Sequence, residues 1–380
     1  MIGAASYNAV EIDLKALRVN YEAVRSRVAP GIRIMAVVKA DAYGHGLEAA
    51  AGAFAGAGAD CFGVGTLEEG IRLRRAGLDG EVVLLLGFDP REAAEVVEYR
   101  LSPVVFAADG LEALSRLAAD RGRQVGVHLK LDAGMGRFGV APADLTRLAA
   151  IITGLPGLRL AGMMSHFPLA DVPGAETRCR EQWQLLQAGG AVCLPPAGVA
   201  RPLLHMANSA ALLRFPWAHG DLVRPGISLY GYSPLPVELA AAGLALQPAM
   251  SLRSRVLQVK MLPAGYGISY GHRYVTPAPT RLAVLPVGYA DGYPRGVSGR
   301  AQVLLGGRRV PILGTICMNA CMADVSALPA VQAGDEAVFL GRQGEEFIGA
   351  DELADWHGTI SYELLCRIGA MNQRLYTPLS

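Results

Sequence analysis

The chain has 380 residues, 52% of them hydrophobic and 18% charged, which allows a large buried core and suggests two or three domains. Thirty-five Lys and Arg against thirty-four Asp and Glu leave a net charge of +1, so no global field draws nucleic acid or an anionic membrane, and small molecules are the expected partners. The first residues lack a basic n-region and an apolar h-region, no uncharged run approaches the length of a membrane span, and the six scattered cysteines form no disulfide framework, so a cytoplasmic protein is expected. Cys317 and Cys321 lack the further Cys or His ligands that structural zinc requires, and no metal is expected.

In chain order, apolar spacing predicts a helix over 14–28 and then strands over 33–39, 60–65, 81–86, 102–106, 125–131, 158–165, 203–206 and 221–224. Helices over 47–57, 66–76, 90–99, 111–121, 142–153 and 176–187 fall between them. Eight strands with covering helices predict a (β/α)8 barrel of the TIM type, a fold that takes about 250 residues. From residue 244 the texture changes to strand runs without intervening helices, over 250–261, 282–287, 301–305, 310–313 and 336–340, with Gly306-Gly307 as a hairpin turn. The expected division is therefore an α/β barrel domain over 1–240 and a mostly β domain over 241–380, with the boundary near 236–243.

Barrel active sites gather at the C-terminal ends of the strands, so polar residues at those ends come first. Lys39 ends the first barrel strand in Ala36-Val37-Val38-Lys39-Ala40-Asp41-Ala42-Tyr43-Gly44-His45-Gly46. By itself a strand-end lysine sends its ammonium to solvent. A lysine set beside apolar walls instead has a lowered pKa and an amine nucleophilic enough for a Schiff base, which is the reading the following loop favours, since two glycines with Tyr43 suit a backbone passing close to a ligand. After the last strand, Arg224-Pro225-Gly226-Ile227-Ser228 offers backbone amides where barrels often hold phosphate. Ser209 reads equally as a hydroxyl donor to that group or as the N-cap of a helix over 210–214.

Gly134-Met135-Gly136-Arg137-Phe138-Gly139 matches the dinucleotide fingerprint by letter, but no Asp or Glu lies between Leu145 and Ala170 to take a ribose. These glycines read instead as shaping a loop that presents Arg137 to an anion. His166 ends the sixth strand and is as readable as a structural residue as a site residue. Tyr270 lies between glycines in the β domain, and its distance in sequence from Lys39 leaves open which barrel it reaches.

Together the segments 36–46, 207–216, 224–230, 269–271 and 287–294 resemble bacterial alanine racemase, a fold-type III pyridoxal phosphate enzyme. The resemblance runs from Glu11-Ile12-Asp13-Leu14, similar to the family's opening strand and helix, to Ser361-Tyr362. It implies an isomerase that interconverts L-alanine and D-alanine, supplying D-alanine for peptidoglycan, with pyridoxal 5'-phosphate as cofactor and a homodimer with shared active sites. Lys39 is then the Schiff-base lysine and one acid-base group, and Tyr270 from the other subunit is the second, one on each face of Cα. Inversion needs a proton removed on one face and delivered on the other.

The same resemblance implies that Arg224 meets the cofactor's ring nitrogen with His166 as its hydrogen-bonded support. A guanidinium keeps its proton, so the ring stays unprotonated and side reactions are suppressed. Tyr43, Ser209, Gly226, Ile227 and Tyr362 are implied phosphate ligands. Arg137, with the backbone of Met318 from the other subunit, is implied at the substrate carboxylate, and Lys130 matches a lysine that is often carbamylated. Asn319 departs from the Asp common in the family and bears on substrate preference. Three other readings share these features: a serine or broad-specificity racemase, a fold-type III amino-acid decarboxylase, and a non-catalytic pyridoxal phosphate binding protein. The decarboxylase family carries Glu-Pro-Gly-Arg where this chain has Arg224-Pro225-Gly226, and a simple binding protein has no use for a second domain with Tyr270.

Overall fold

The computed structural model describes residues 7–193, 200–235 and 244–378, so the expected boundary over 236–243 lies outside the described residues. Two compact units result, one of Leu17–Ala42 with Leu47–Gln247, the other of Met1–Ala16, Tyr43–Gly46 and Pro248–Ser380. Among the described residues no helix is long and apolar enough to cross a membrane.

Strand β1 (Ala9–Asp13) belongs to the second unit. The first unit is built on β2 (Arg33–Val37), β3 (Cys61–Val64), β4 (Glu81–Leu84), β5 (Ser102–Val105), β6 (Val125–Lys130), β7 (Leu158–Met164), β8 (Leu203–His205) and β9 (Leu222–Val223). They form one eight-stranded parallel sheet of order β8-β7-β6-β5-β4-β3-β2-β9. Asp221 N donates to Leu204 O at 2.9 Å and Arg224 N to Ala207 O at 2.8 Å, joining the two ends into a barrel. All eight predicted strands are present, several shorter than expected at their C-terminal ends, where the chain leaves the ladder to form the loops that carry the site.

The barrel interior is apolar because strands contribute inward-facing residues in layers. Met35, Cys61, Val83, Val104, Met164 and Leu222, from six different strands, form one buried cluster. Outside, helix Leu67–Arg75 begins with a capping box: Thr66 Oγ1 accepts from Glu69 N, and the Glu69 carboxylate accepts from Thr66 N.

In the second unit a ten-stranded sheet runs through β10 (Met250–Arg255), β11 (Gln258–Leu262), β14 (Thr280–Leu285), β15 (Gln302–Leu305), β16 (Arg308–Leu313), β17 (Cys321–Asp324), β18 (Glu336–Gln343), β19 (Glu346–Ile348) and β20 (Arg374–Thr377), together with β1. The short strands β12 (Gly267–Ile268) and β13 (Tyr274–Val275) pair separately. The single strand expected over 250–261 is two, because β10 pairs with β18 whereas β11 pairs with β14. Gly306 and Gly307, at φ 58° and 73°, form the two-residue turn between β15 and β16, positive at both positions as a type I′ hairpin requires. Two helices that the strand pattern did not predict, Ala350–His357 and Ser361–Met371, precede β20.

Candidate active site

Lys39 opens a feature that no glycine announces. Ala40, Asp41, Ala42 and Tyr43 all have φ between 52° and 55°, a full turn of left-handed helix in non-glycine residues. Such a conformation costs roughly 1–2 kcal/mol per residue. Neighbours hold it in place: Asp41 N donates to Glu69 Oε1 at 3.0 Å, and Asp41 Oδ1 accepts from Leu47 N at 3.1 Å and from Arg72 Nη2 at 2.9 Å. Glu69 therefore caps its own helix and anchors the turn that carries Lys39.

Arg224, just past β9, is almost completely buried. Its Nη2 donates to Ser165 O at 2.6 Å and lies 3.5 Å from His166 Nδ1, at the outer limit of a hydrogen bond. Its shorter imidazole contact is from Nη1 to His205 Nδ1, at 3.0 Å. The support expected from His166 thus comes more directly from His205, the last residue of β8, which sequence reasoning missed. Burial, with Arg137 nearby, lowers the Arg224 guanidinium to about 9, still protonated at neutral pH. Burial and the charges of Arg224, Arg137, Lys130 and Lys39 keep His166 well below the ordinary imidazole value, hence neutral.

Lys130, at the end of β6, is buried with its Nζ 3.3 Å from the centroid of the Phe138 ring. Burial first, then Arg137, Arg224 and Lys39, lower its ammonium to about 7 against an opposing pull from Asp132. Arg137 is exposed on the loop that follows, which Asp132 organises: Oδ1 accepts from Gly134 N at 2.9 Å, Met135 N at 2.8 Å and Gly136 N at 3.2 Å. The amides of the apparent dinucleotide motif are spent on the chain's own carboxylate, and the glycines shape an Arg137 loop as expected.

Ser209 Oγ accepts from Gly226 N at 2.9 Å, while the helix Ser209–Arg214 is capped by Asn208, whose side chain accepts from Ala211 N. The hydroxyl is therefore free of the capping role and tied to the loop after β9. Ile227 opens a 3-10 turn, so its amide is outside that turn's own bonding, and the buried Ser228 Oγ has no partner among the described residues.

In the second unit, the Tyr43 ring lies 5.9 Å from that of Tyr362, and burial, aided by Tyr362 and Cys366, raises its hydroxyl. Gly44 and Gly46 answer to packing: a Cβ at Gly44 would stand 2.3 Å from Leu365 O, and one at Gly46 would stand 2.0 Å from the Tyr376 hydroxyl. Tyr270 is 70% exposed and Met318 56% exposed. Their loops are tied at neighbouring residues: Ser269 Oγ donates to Thr315 O at 2.5 Å and lies 3.3 Å from Cys317 Sγ, Thr315 Oγ1 donates to Tyr270 O at 3.0 Å, and Ala290 N donates to Met318 O at 2.9 Å. Positive φ at Ser269 (62°) and His272 (43°) strains the loop that presents Tyr270.

Lys130, Arg137 and Arg224 form no ion pair among the described residues. The buried cationic side chains Lys130 and Arg224, without an ion pair, and the buried, unpartnered Ser228 hydroxyl fit an anionic ligand. The family described as "Alanine racemase, N-terminal domain" matches residues 12–234, and "Alanine racemase, C-terminal domain" matches residues 249–376. The chain is 43% identical over 366 residues to the alanine racemase of Syntrophobacter fumaroxidans, covering 95% of each chain. It is 44% identical over 378 residues to that of Nitratidesulfovibrio vulgaris, covering 98% of this chain and 99% of the relative. The crystal structure of alanine racemase from D-cycloserine-producing Streptomyces lavendulae matches with a TM-score of 0.92 at 39% identity, over 99% of this chain and 98% of the other. That of alanine racemase from Bacillus anthracis with bound L-Ala-P matches with a TM-score of 0.89 at 33% identity, over 99% and 96%. These matches favour none of the serine, decarboxylase or binding-protein readings, and the chain belongs to the alanine racemase family.

Proposed function

We propose that this isomerase inverts alanine with Lys39 and Tyr270 as two acid-base groups, in a cytoplasmic homodimer holding pyridoxal 5'-phosphate and supplying D-alanine for peptidoglycan. The division of labour is a barrel domain, expected over 1–240 but without Met1–Ala16 and Tyr43–Gly46, that binds the cofactor, and a mostly β domain, expected over 241–380, that contributes Tyr270 to the partner's site. The observation that carries the reading is the set of cationic side chains, Lys39, Lys130, Arg137 and Arg224, that share one electrostatic neighbourhood at the C-terminal end of the barrel.

Pyridoxal phosphate, when bound, supplies an electron sink that acidifies the α-proton of an attached amino acid. Lys39 attaches it. Ser209, the amides of Gly226 and Ile227, and the hydroxyls of Tyr43 and Tyr362 would hold its phosphate. Arg224, supported by His205 and His166, would donate to the ring nitrogen without surrendering a proton. Arg137 takes the substrate carboxylate, helped by the Met318 backbone of the partner subunit. Lys39 exchanges a proton with one face of the α-carbon and Tyr270 of the partner subunit with the other, so a proton taken from one face is not simply returned to it. A carbamate on Lys130 would place negative charge among these cations and hold Arg137.

Incubation with L-alanine in deuterated water is expected to yield D-alanine with deuterium at Cα, read by chiral chromatography and mass. Release of carbon dioxide instead would overturn the reading. Tyr270→Phe is expected to lower racemisation by about 10²- to 10⁴-fold with the cofactor's absorbance band retained. Undiminished two-way turnover in that variant removes the second base.

A further inference from the structure

A continuous polar line crosses the barrel core from one end to the other. Arg224 Nη1 donates to His205 Nδ1 at 3.0 Å, and His205 Nε2 lies 3.0 Å from His128 Nδ1. His128 Nε2 lies 3.3 Å from Glu81 Oε1, and Glu81 Oε2 accepts from Arg33 Nη1 at 2.8 Å. Both imidazoles are completely buried, whereas Glu81 and Arg33 keep some contact with solvent. Arg33 and Glu81 open β2 and β4, while Arg224 follows the end of β9, so in a parallel barrel the line joins opposite rims.

The backbone is shaped around this line. The pairing of β6 with β7 shifts register between Val127 and His128, the kind of irregularity that re-aims a side chain. On β7 the facing residue is Gly162, where a Cβ would stand 2.4 Å from His128 Nδ1 and 2.9 Å from His205 Nε2. Only a residue without a side chain leaves room for the imidazole pair.

The direction of the protons follows from the ends. Arginine has donors and no acceptor, so His205 Nδ1 accepts and the His205 proton sits on Nε2. That N–H points at His128 Nδ1, which must also accept, leaving the His128 proton on Nε2 facing a carboxylate. Burial alone would raise the Glu81 carboxyl, but the hydrogen bonds from His128 and Arg33 and the charge of Arg33 oppose it and hold it low, an acceptor at working pH. Burial beside Arg224 likewise keeps His205 neutral. Reversing either imidazole sets N–H against N–H, within the pair or at Arg224.

We infer that Glu81 is a positioning residue for Arg224: as the terminal acceptor of the His205–His128 relay, it locks both imidazoles as Nε2–H tautomers and so keeps a buried acceptor in front of Arg224 Nη1. The catalytic consequence rests on the proposed contact between Arg224 and the cofactor's ring nitrogen. With Nη1 held by His205 and Nη2 by Ser165 O, the guanidinium is fixed from two sides.

The test is nitrogen-15 NMR of the holoenzyme labelled at histidine, with the two imidazoles assigned through His205→Asn and His128→Asn. Both are expected as neutral Nε2–H forms; an Nδ1–H His205 or a cationic His128 overturns the inference. Glu81→Met removes the acceptor at similar volume and is expected to bring the Nδ1–H form of His205 to a detectable fraction. It is also expected to lower kcat about tenfold with little change in KM, the usual scale for a supporting residue. Glu81→Gln keeps an acceptor oxygen without the charge and is expected to keep the native tautomers. Unchanged tautomers in Glu81→Met, or Glu81→Gln matching Glu81→Met, overturn the acceptor role. If Glu81→Met does not fold, the spectra of the native and Glu81→Gln proteins decide. Altered tautomers with unaltered kcat would uphold the relay and instead remove Arg224 from the ring nitrogen.

Discussion

Burial in the barrel changes the ordinary chemistry of Lys130. An ammonium lowered to about 7 is mostly free amine at pH 8, and a free amine adds carbon dioxide to give a carbamate. The sign of the linkage follows. Because the folded value lies below the ordinary 10.5, the unfolded chain binds more protons between about 7 and 10.5. This group therefore makes stability rise with pH across that window, and its penalty is fully present below pH 7. The neutral amine that reacts exists over the same range. Protein equilibrated with carbon-13 bicarbonate at pH 8 is expected to show a carbamate resonance that fades as the pH is taken below 7 and is missing from Lys130→Met. A resonance that persists in Lys130→Met would place the modification on another amine.

Among the elements, the left-handed turn after β2 stores strain where Lys39 must be aimed. Ala40 is exposed at φ 55°, so Ala40→Gly should relieve the steric cost while adding backbone freedom. The expected net effect is about 0.5–1 kcal/mol of added stability in chemical denaturation; a loss of stability would show that the turn stores no strain at Ala40. This turn was also the least legible element. Left-handed helix is signalled in sequence by glycine or asparagine, and 39–43 contains neither, because the conformation is held by Glu69 and Arg72 from the helix Leu67–Arg75. The eight barrel strands were legible because their apolar runs recur between amphipathic helices. His205 was not, since a histidine ending a three-residue strand looks like any core polar residue until Arg224 is seen 3.0 Å away. Ser209 was undecidable for the opposite reason: the residue beside it, Asn208, caps equally well and does so. Pairings such as β1 with β20 join residues too distant in sequence for any local pattern to reveal.

For the whole molecule, the decisive matter is whether Tyr270 serves its own chain or another. The second unit presents Met261, Tyr266, Tyr270, Val275 and Met318 at 50–70% exposure, apolar surface that a partner subunit would cover. The strain at Ser269 and His272 aims Tyr270 outward at further cost, which is intelligible if the tyrosine reaches a second subunit. Two inactive variants can tell the arrangements apart. In a dimer of one Lys39→Ala chain and one Tyr270→Phe chain, shared sites put both lesions in one site and leave the other with an intact lysine and an intact tyrosine. If each tyrosine serves its own barrel, every site in the mixed dimer is damaged. Subunit exchange between equal amounts of the variants makes half the dimers mixed, so shared sites predict recovery of about a quarter of native activity from two inactive preparations. The recovery should appear at the rate of subunit exchange, followed by mass-tagged chains, and should be lost when the variants are crosslinked before mixing. Complete exchange without any gain in activity would place Lys39 and Tyr270 of one chain in the same site.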